Sequence, residues 1–258
     1  MDSTVRVVES SFVVPSEPTP RKGLWLSSLD QDFSISKDQV TSLKRLCGGV
    51  STFCAVSALV WRCVCVARKL PPDAKALLTF LANIRSRVTP PLPERYFGNA
   101  LVRVGVTVAV RDIIASEALV SIAGRIGGVV RRMDDEMVRS SIDYIDTVEM
   151  DGQWAGTRSE TELQVTSWLG MPMYDANFGR GKPLVVSRAD SNRGGSVHLM
   201  SDGLADGVRV LICMEAANVK ERARAAALRS SRQMHASGLM RKLMVQYSCG
   251  FAVLEDWE

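Results

Sequence analysis

Histidine is scarce in this sequence: there are two among 258 residues, and the first of them is His198. Long apolar runs are also lacking. The most apolar stretch, residues 53–67, contains Arg62 and is shorter than the roughly 20 residues that a membrane-spanning helix needs. The first residues include Asp2 and Glu9 and no basic start followed by an apolar block, so we expect no secretory signal. The lack of a membrane-spanning run and of a secretory signal predicts no membrane contact and a cytoplasmic location.

The paired C-x-x-C spacing of a zinc site is missing as well, although the chain has six cysteines. Five of these cysteines lie in or beside apolar runs. Small thiols in apolar surroundings are typical of a reduced, buried set. We therefore favour free buried thiols, and disulfides are the alternative.

A strong charge of either sign is missing too. Lys and Arg number 32 and Asp and Glu 28, so the net charge is +4, which is too small by itself to indicate nucleic acid. The excess lies in residues 220–242, and the rest of the chain is close to neutral. With 46% hydrophobic and 23% charged residues, the composition is globular and excludes a disordered chain. The length predicts one large domain or two small ones.

Hydrophobic periodicity predicts a mixture of strands and helices. The clearest strand covers residues 100–110, where five valines alternate with Arg103, Gly105, Thr107 and Ala109. The continuous apolar run at 76–84 is typical of a strand covered on both faces. Further strands are predicted at 5–14, 164–169, 184–187 and 208–215, and helices at 53–67, 116–132, 134–146 and 219–232. This irregular order indicates an α/β chain with a mixed sheet.

Several separated segments follow one another in a characteristic order. They comprise residues 7–11, 15–17 and 24–30, then 51–53, 60–63 and 67–68, then Asn83 with 85–87, 90–93 and 96–99, and finally Thr166-Ser167-Trp168, Pro172, 174–176 and 178–183. In this order and spacing they resemble the plant BAHD acyltransferases, and most of all the hydroxycinnamoyl transferase branch. That family moves acyl groups from coenzyme A thioesters to alcohols or amines. The resemblance covers residues 5–30 and about 35–227.

The resemblance implies a chloramphenicol acetyltransferase-like lobe, in which a mixed sheet is flanked by helices, with a short N-terminal stub. On this basis residues 1–47 are predicted to be the remnant of an N-terminal lobe and its linker. Residues 48–228 form the C-terminal acyltransferase-like lobe, and residues 229–258 an atypical C-terminal tail. Residues 33–39 resemble the linker helix, so most of the N-terminal lobe is expected to be missing.

No catalytic residue is assigned. The general base of the family is the His of an H-x-x-x-D-G sequence in the N-terminal lobe, which the resemblance does not locate here. Residues 198–203 match that pattern literally, but they follow the 178–183 segment, and we expect them in a loop on the far side of the lobe. The chemistry needs an imidazole that reaches both the thioester carbon and the acceptor. We therefore interpret the match as a coincidence and His235 as a solvated residue of the tail.

Six residues are predicted to bind substrates. By resemblance, Ser51, Thr52, Arg85 and Arg87 lie near the coenzyme A channel, where a capped helix start and two guanidinium groups favour phosphates. The alternative is that Ser51 only caps a helix and the arginines are surface charges. Thr166 and Trp168 match acceptor-pocket positions, and the alternative for Trp168 is the core. Acyl-CoA is the implied co-substrate, and no tightly bound cofactor is expected.

Three positions depart from the family pattern. Asn177 replaces an Asp that holds a loop, so hydrogen bonding is kept without its charge-assisted part. Arg180 replaces a Trp and loses the aromatic packing. Gln153 stands where shikimate-using members have an acceptor-binding Arg, which argues against shikimate.

The sequence is compatible with four functions. The preferred one is an acyl-CoA-dependent acyltransferase lobe with little or no activity of its own, acting on acyl-CoA and a small-molecule acceptor. The second is a working transferase whose base is His198 or comes from a partner chain. The third is an interaction module that binds a protein partner, or a second copy, through an exposed lobe face. A nucleic-acid role for the basic tail ranks last.

Overall fold

The fold is known from a computed structural model that describes residues 28–115, 118–150, 159–187, 194–203 and 206–215. Helices and strands alternate irregularly along these segments. In chain order they are β1 (Ser28–Ile35), α1 (Lys37–Leu46), α2 (Thr52–Ala67), β2 (Lys75–Asn83), β3 (Leu101–Ala109), α3 (Val110–Ile114), α4 (Ala118–Arg131), α5 (Asp135–Met150), β4 (Glu162–Ser167), β5 (Ser196–Ser201) and β6 (Val208–Glu215). The predicted mixture of strands and helices is confirmed.

The strands form one mixed sheet in the order β1-β6-β5-β4-β2-β3. The central pairs β2/β4 and β4/β5 are parallel, and the outer pairs are antiparallel. Because parallel neighbours need a crossover, helices α3, α4 and α5 lie in the chain between β3 and β4. The mixed sheet flanked by helices is the predicted architecture.

One face of the sheet forms the core. In β3 every second residue from Val102 to Val108 is at most 6% exposed, as the alternation predicts. The same face continues through Leu78 of β2 and Val165 of β4. Helix α2 packs on this side, where it contacts β4 and the helices α1, α3 and α4. Its buried residues lie all around its axis, as expected for a helix enclosed by other elements.

The opposite face carries a charged cluster formed by Glu162, Arg103 and Thr79. Glu162 is 8% exposed and forms an ion pair with Arg103. The Thr79 hydroxyl donates to Glu162 Oε1 at 3.1 Å. Arg68, at the end of α2, donates to the backbone oxygens of Glu160 and Glu162 at 2.8 and 2.7 Å. These bonds join α2, β2, β3 and β4.

Several sequence predictions need correction. No strand forms at 184–187, because Leu184 and Val185 are 82% and 68% exposed and the neighbouring β6 already pairs with β1 and β5. The prediction that β2 is covered on both faces is wrong at Leu81, which is 39% exposed. Strand β1 was not predicted, although Phe33 and Ile35 alternate with polar neighbours. The predicted strand at 5–14 and helix at 219–232 lie outside the described residues.

The division of the chain at residue 47 stays a prediction, as does the tail at 229–258, which lies outside the described residues. Strand β1 and helix α1 precede residue 47. They are continuous with the rest, because β1 pairs with β6 over eight residues and α1 packs on α2. Among the described helices, none combines the length and apolar character that a membrane span requires.

Candidate functional site

The first turn of α2 contains the first pair of predicted site residues. Gly48 and Gly49 precede it with φ of +77° and +78°, a left-handed conformation that glycine adopts without steric cost. Ser51 Oγ then accepts a hydrogen bond from the backbone N of Cys54 at 3.3 Å and donates to Cys54 Sγ at 3.2 Å. Ser51 is therefore the N-cap, and Thr52 is the first helical residue.

Thr52 lines a cavity of about 400 Å³. The other walls are Val40 of α1, the segment that follows β4, and the turn between β5 and β6; the lining residues there are Leu169, Met171, Pro172, Met173, Tyr174, Asp175, Ser201, Asp202, Gly203, Asp206, Gly207 and Val208. The cavity thus joins a predicted coenzyme A residue to the segment that directly follows the predicted acceptor residues Thr166 and Trp168.

The cavity rim carries three carboxylates. Asp175 is paired with Lys182 Nζ at 2.9 Å, and Asp206 with Lys37 Nζ at 2.8 Å. The hydrogen bond to Lys37 holds the pKa of Asp206 below its ordinary value. Asp202 is the third carboxylate. Because lysines compensate two of these charges, the carboxylate of Asp202 supplies the remaining negative charge among the described rim residues, and it disfavours phosphate and suits an uncharged or cationic group.

Arg85 and Arg87 do not line this cavity. Arg85 Nη2 donates to the backbone O of Gly98 at 2.7 Å, and its guanidinium lies 6.0 Å from the centre of the Tyr96 ring. Arg87 Nη1 donates to the backbone oxygens of Val130 and Met133 at 3.0 and 2.9 Å, at the end of α4. Both side chains therefore hold backbone segments in place, and their predicted contact with phosphates stays a prediction.

Thr166 and Trp168 lie together at the end of β4, and both are half-buried. Thr166 is the register partner of His198 on β5, and the Trp168 backbone N donates to Leu199 O at 2.8 Å, which extends the ladder. The rings of Trp168 and His198 meet edge to face, with centroids 5.6 Å apart and an interplanar angle of 64°. Trp168 is not fully enclosed in the core, and its acceptor role stays a prediction.

His198 is the clearest error of the sequence prediction. The expected loop at 198–203 begins as β5, a central strand between β4 and β6, and only Asp202 and Gly203 lie beyond it. His198 is 7% exposed. Residues 196–202 mix polar and apolar side chains between Gly195 and Gly203, a composition that is typical of a loop. Five of the six β5 residues are nevertheless buried.

The segment with Asn177 keeps a defined turn despite its departures from the family pattern. Asn177 Oδ1 accepts hydrogen bonds from the backbone N of Gly179 at 2.9 Å and of Gly181 at 3.2 Å. The two glycines have φ of +87° and +92°. Hydrogen bonding by the amide therefore organises this loop, as predicted, and Arg180 is exposed. The predicted position of Gln153 lies outside the described residues.

Comparison with known proteins gives the family. A family model described as "Transferase family" matches residues 34–223. A hydroxycinnamoyltransferase of Narcissus pseudonarcissus is 32% identical over 180 residues, which are 68% of this chain and 41% of that protein. The chain belongs to the BAHD acyltransferase family. Putrescine hydroxycinnamoyltransferase 1 of Oryza sativa subsp. japonica is 39% identical over 181 residues, which are 64% of this chain and 41% of the rice protein.

Solved structures support the same fold. Vinorine synthase superposes with a TM-score of 0.60 at 21% identity, covering 74% of this chain and 45% of the synthase chain. The TRI101 protein of F. sporotrichioides, solved with coenzyme A and T-2, gives 0.66 at 18% identity, covering 82% and 51%. The BAHD chain described here therefore spans about two fifths of the curated relatives above and about half of these solved chains.

Three residues that line the cavity of this BAHD chain, Tyr174, Asp202 and Gly203, were not predicted as site residues from the sequence. The Tyr174 ring lies against Gly203, where a Cβ would stand 2.5 Å from its Cε1 atom. Asp202 and Gly203 are the last two letters of the H-x-x-x-D-G match, so a signal was present but pointed to the wrong chemistry. Tyr174 belongs to the family-like segment 174–176 and had no role assigned.

Proposed function

We propose that this chain takes part in acyl transfer from a hydroxycinnamoyl-type coenzyme A thioester to an amine or alcohol. The cavity that joins Thr52 to the segment after Trp168 is the observation that carries this proposal. Transfer requires the thioester and the acceptor to meet in one place. The acceptor nitrogen or oxygen attacks the thioester carbonyl, the C–S bond breaks, and the sulfur leaves with the acceptor's proton as coenzyme A thiol.

Thr52 and the cavity suit the uncharged arm of coenzyme A rather than its phosphates. The Asp202 carboxylate, which remains beside the two lysine-paired carboxylates, repels phosphate, so the phosphates would lie outside, where Arg85 and Arg87 are the candidates. Each arginine keeps donors beyond those that hold the backbone, because a guanidinium has five N–H groups. If Arg85 binds the 3′-phosphate of coenzyme A, Arg85→Met should weaken the affinity for coenzyme A. The same substitution should leave the affinity for 3′-dephospho-coenzyme A unchanged.

An amine acceptor fits the cavity rim better than a neutral alcohol. Asp202 adds a negative charge beside the two carboxylates that are paired with lysines. The rice relative is named for putrescine, a diamine that is cationic at neutral pH. Cationic acceptors would be attracted to this rim and anionic ones repelled.

We propose that this chain alone transfers acyl groups slowly or not at all. His198, which is 7% exposed and packed against Trp168, is poorly placed to take a proton from an acceptor. Loss of a general base typically lowers the rate by about 10²–10⁴-fold. Robust transfer from p-coumaroyl-CoA to putrescine that His198→Ala abolishes would contradict this part of the proposal.

Calorimetric titration with p-coumaroyl-CoA tests the cavity directly. Thr52→Val keeps the volume and removes the hydroxyl, and one lost hydrogen bond of about 1 kcal/mol should weaken binding about fivefold. Thr41→Val is the matched control, because that exposed hydroxyl donates to Lys37 O within α1, and its affinity should not change. Absence of binding, or equal affinity for both variants, would refute the assignment of the cavity.

A second candidate function is an interaction module, and exposed apolar side chains favour it. Phe97, Phe178, Leu184 and Val185 are each at least 68% exposed. Where such side chains form one contiguous patch, that patch is typical of a contact with a protein partner or a second copy. Light scattering after size-exclusion chromatography measures the mass, and a monomer at every concentration would rule out self-association.

A further inference from the structure

His198 occupies a place in the sheet that its sequence motif did not suggest. It lies on β5 directly opposite Thr166 of the parallel strand β4. Trp168 extends β4 by two residues, since its backbone N donates to Leu199 O. Residues two apart on a strand share a face, so Thr166, Trp168 and His198 lie on one side of the sheet.

The three side chains differ in exposure. Thr166 and Trp168 are half-buried, whereas His198 is 7% exposed. The imidazole meets the indole edge to face, at a centroid distance of 5.6 Å and an angle of 64°. Edge-to-face contact is one of the preferred geometries of an aromatic pair, and diagonal neighbours on adjacent strands are within its reach. His198 therefore supports the indole from the buried side.

We propose that His198 is a positioning residue that fixes the orientation of the Trp168 indole, the side chain whose predicted role is to contact the acceptor beside the cavity. The contact itself stands on the geometry, and the step from Trp168 to the acceptor rests on the proposed function. A side chain without a ring at position 198 would leave the indole free to change rotamer. Phe at this position would preserve the ring contact and exclude imidazole chemistry.

Fluorine NMR of the 5-fluorotryptophan-labelled chain follows the indole. Trp168→Phe assigns its resonance, and Trp61, which is 1% exposed in α2, is the internal reference. We expect His198→Ala to move the Trp168 resonance and leave that of Trp61 in place. Val197→Ala truncates the neighbouring side chain on the opposite, core face of β5 and should lower stability without moving the Trp168 resonance.

Titration with putrescine in the presence of p-coumaroyl-CoA gives the functional readout. We expect His198→Ala to weaken acceptor binding about three- to tenfold, as the loss of an aromatic contact implies, and His198→Phe to restore it. A Trp168 resonance that His198→Ala leaves unchanged would overturn the positioning role. Failure of His198→Phe to rescue binding, or an equal loss in Val197→Ala, would overturn the link to the acceptor.

The two failures can be told apart. If the parent chain binds neither p-coumaroyl-CoA nor putrescine, the proposed function and the acceptor step fail together, and the resonance of Trp168 still decides whether His198 positions the indole. If His198→Ala does not fold, His198→Leu, which keeps an apolar side chain but has no ring, supplies the variant without the aromatic contact, and His198→Phe remains the rescue.

Discussion

Replacing Ser51 by Ala should lower the free energy of unfolding through the loss of one helix cap. The hydroxyl accepts from the backbone N of Cys54 at 3.3 Å, and that residue is 3% exposed. Water cannot easily replace the lost acceptor there, so the cost should lie in the upper part of the range for N-caps, about 1.5 kcal/mol. For a chain of this size we expect the Tm to fall by about 3–6 °C.

Urea unfolding followed by circular dichroism measures this change. Ser51→Gly should lose only roughly 0.3 kcal/mol, because glycine is a good N-cap residue without a side chain. Thr41→Val removes an exposed hydroxyl that lies inside α1 and should change stability by less than about 0.5 kcal/mol. Equal losses for the Ala and Gly variants, or no loss for Ala, would refute the capping argument.

Three further predictions concern the core, the charged cluster and the cavity. Burial raises the pKa of the Cys65 thiol to about 12, so this thiol ionises in the unfolded chain at a lower pH than in the folded one. The free energy of unfolding should therefore fall as the pH rises above 9, by about 1.4 kcal/mol per pH unit from this group. In urea titrations between pH 9.5 and 11, Cys65→Ala should make the free energy of unfolding less dependent on pH than it is in the parent chain. Arg103→Met should cost about 2 kcal/mol by leaving Glu162 without its ion pair, and Glu162→Gln should cost less, with equal losses contradicting the charge argument. Gly203→Ala should displace the Tyr174 ring and weaken p-coumaroyl-CoA binding more than it lowers the Tm, whereas a purely thermal effect would contradict a role of Tyr174 in the cavity.

Local periodicity predicted the elements whose burial is regular. Strand β3 follows its valines because one face is core and the other is open, and helix α2 follows its apolar residues because other helices enclose it. The apolar pattern of β1 is less regular, since polar Gln31 interrupts the alternation that Leu29, Phe33 and Ile35 follow along the strand. Its pairing partner, β6, lies far along the chain, and no local signal reports such a pairing.

The candidate site was predictable only in part. The helix start at Ser51 and the end of β4 at Thr166 were recognised from their resemblance to a family. The cavity that joins Thr52 to Tyr174 and Asp202 depends on contacts between remote segments, so spacing along the chain could not predict it. The strand position of His198 depends likewise on its neighbours β4 and β6.

The pairing of β1 with β6 has a consequence during synthesis on the ribosome. Asp32 and Arg209, which are 177 residues apart, form an ion pair across these two strands. At about 5–20 residues per second, β1 waits roughly 9–35 s after its own translation before β6 exists. During that interval Phe33 and Ile35 have no strand partner, and nascent β1 is a segment that a chaperone would shield.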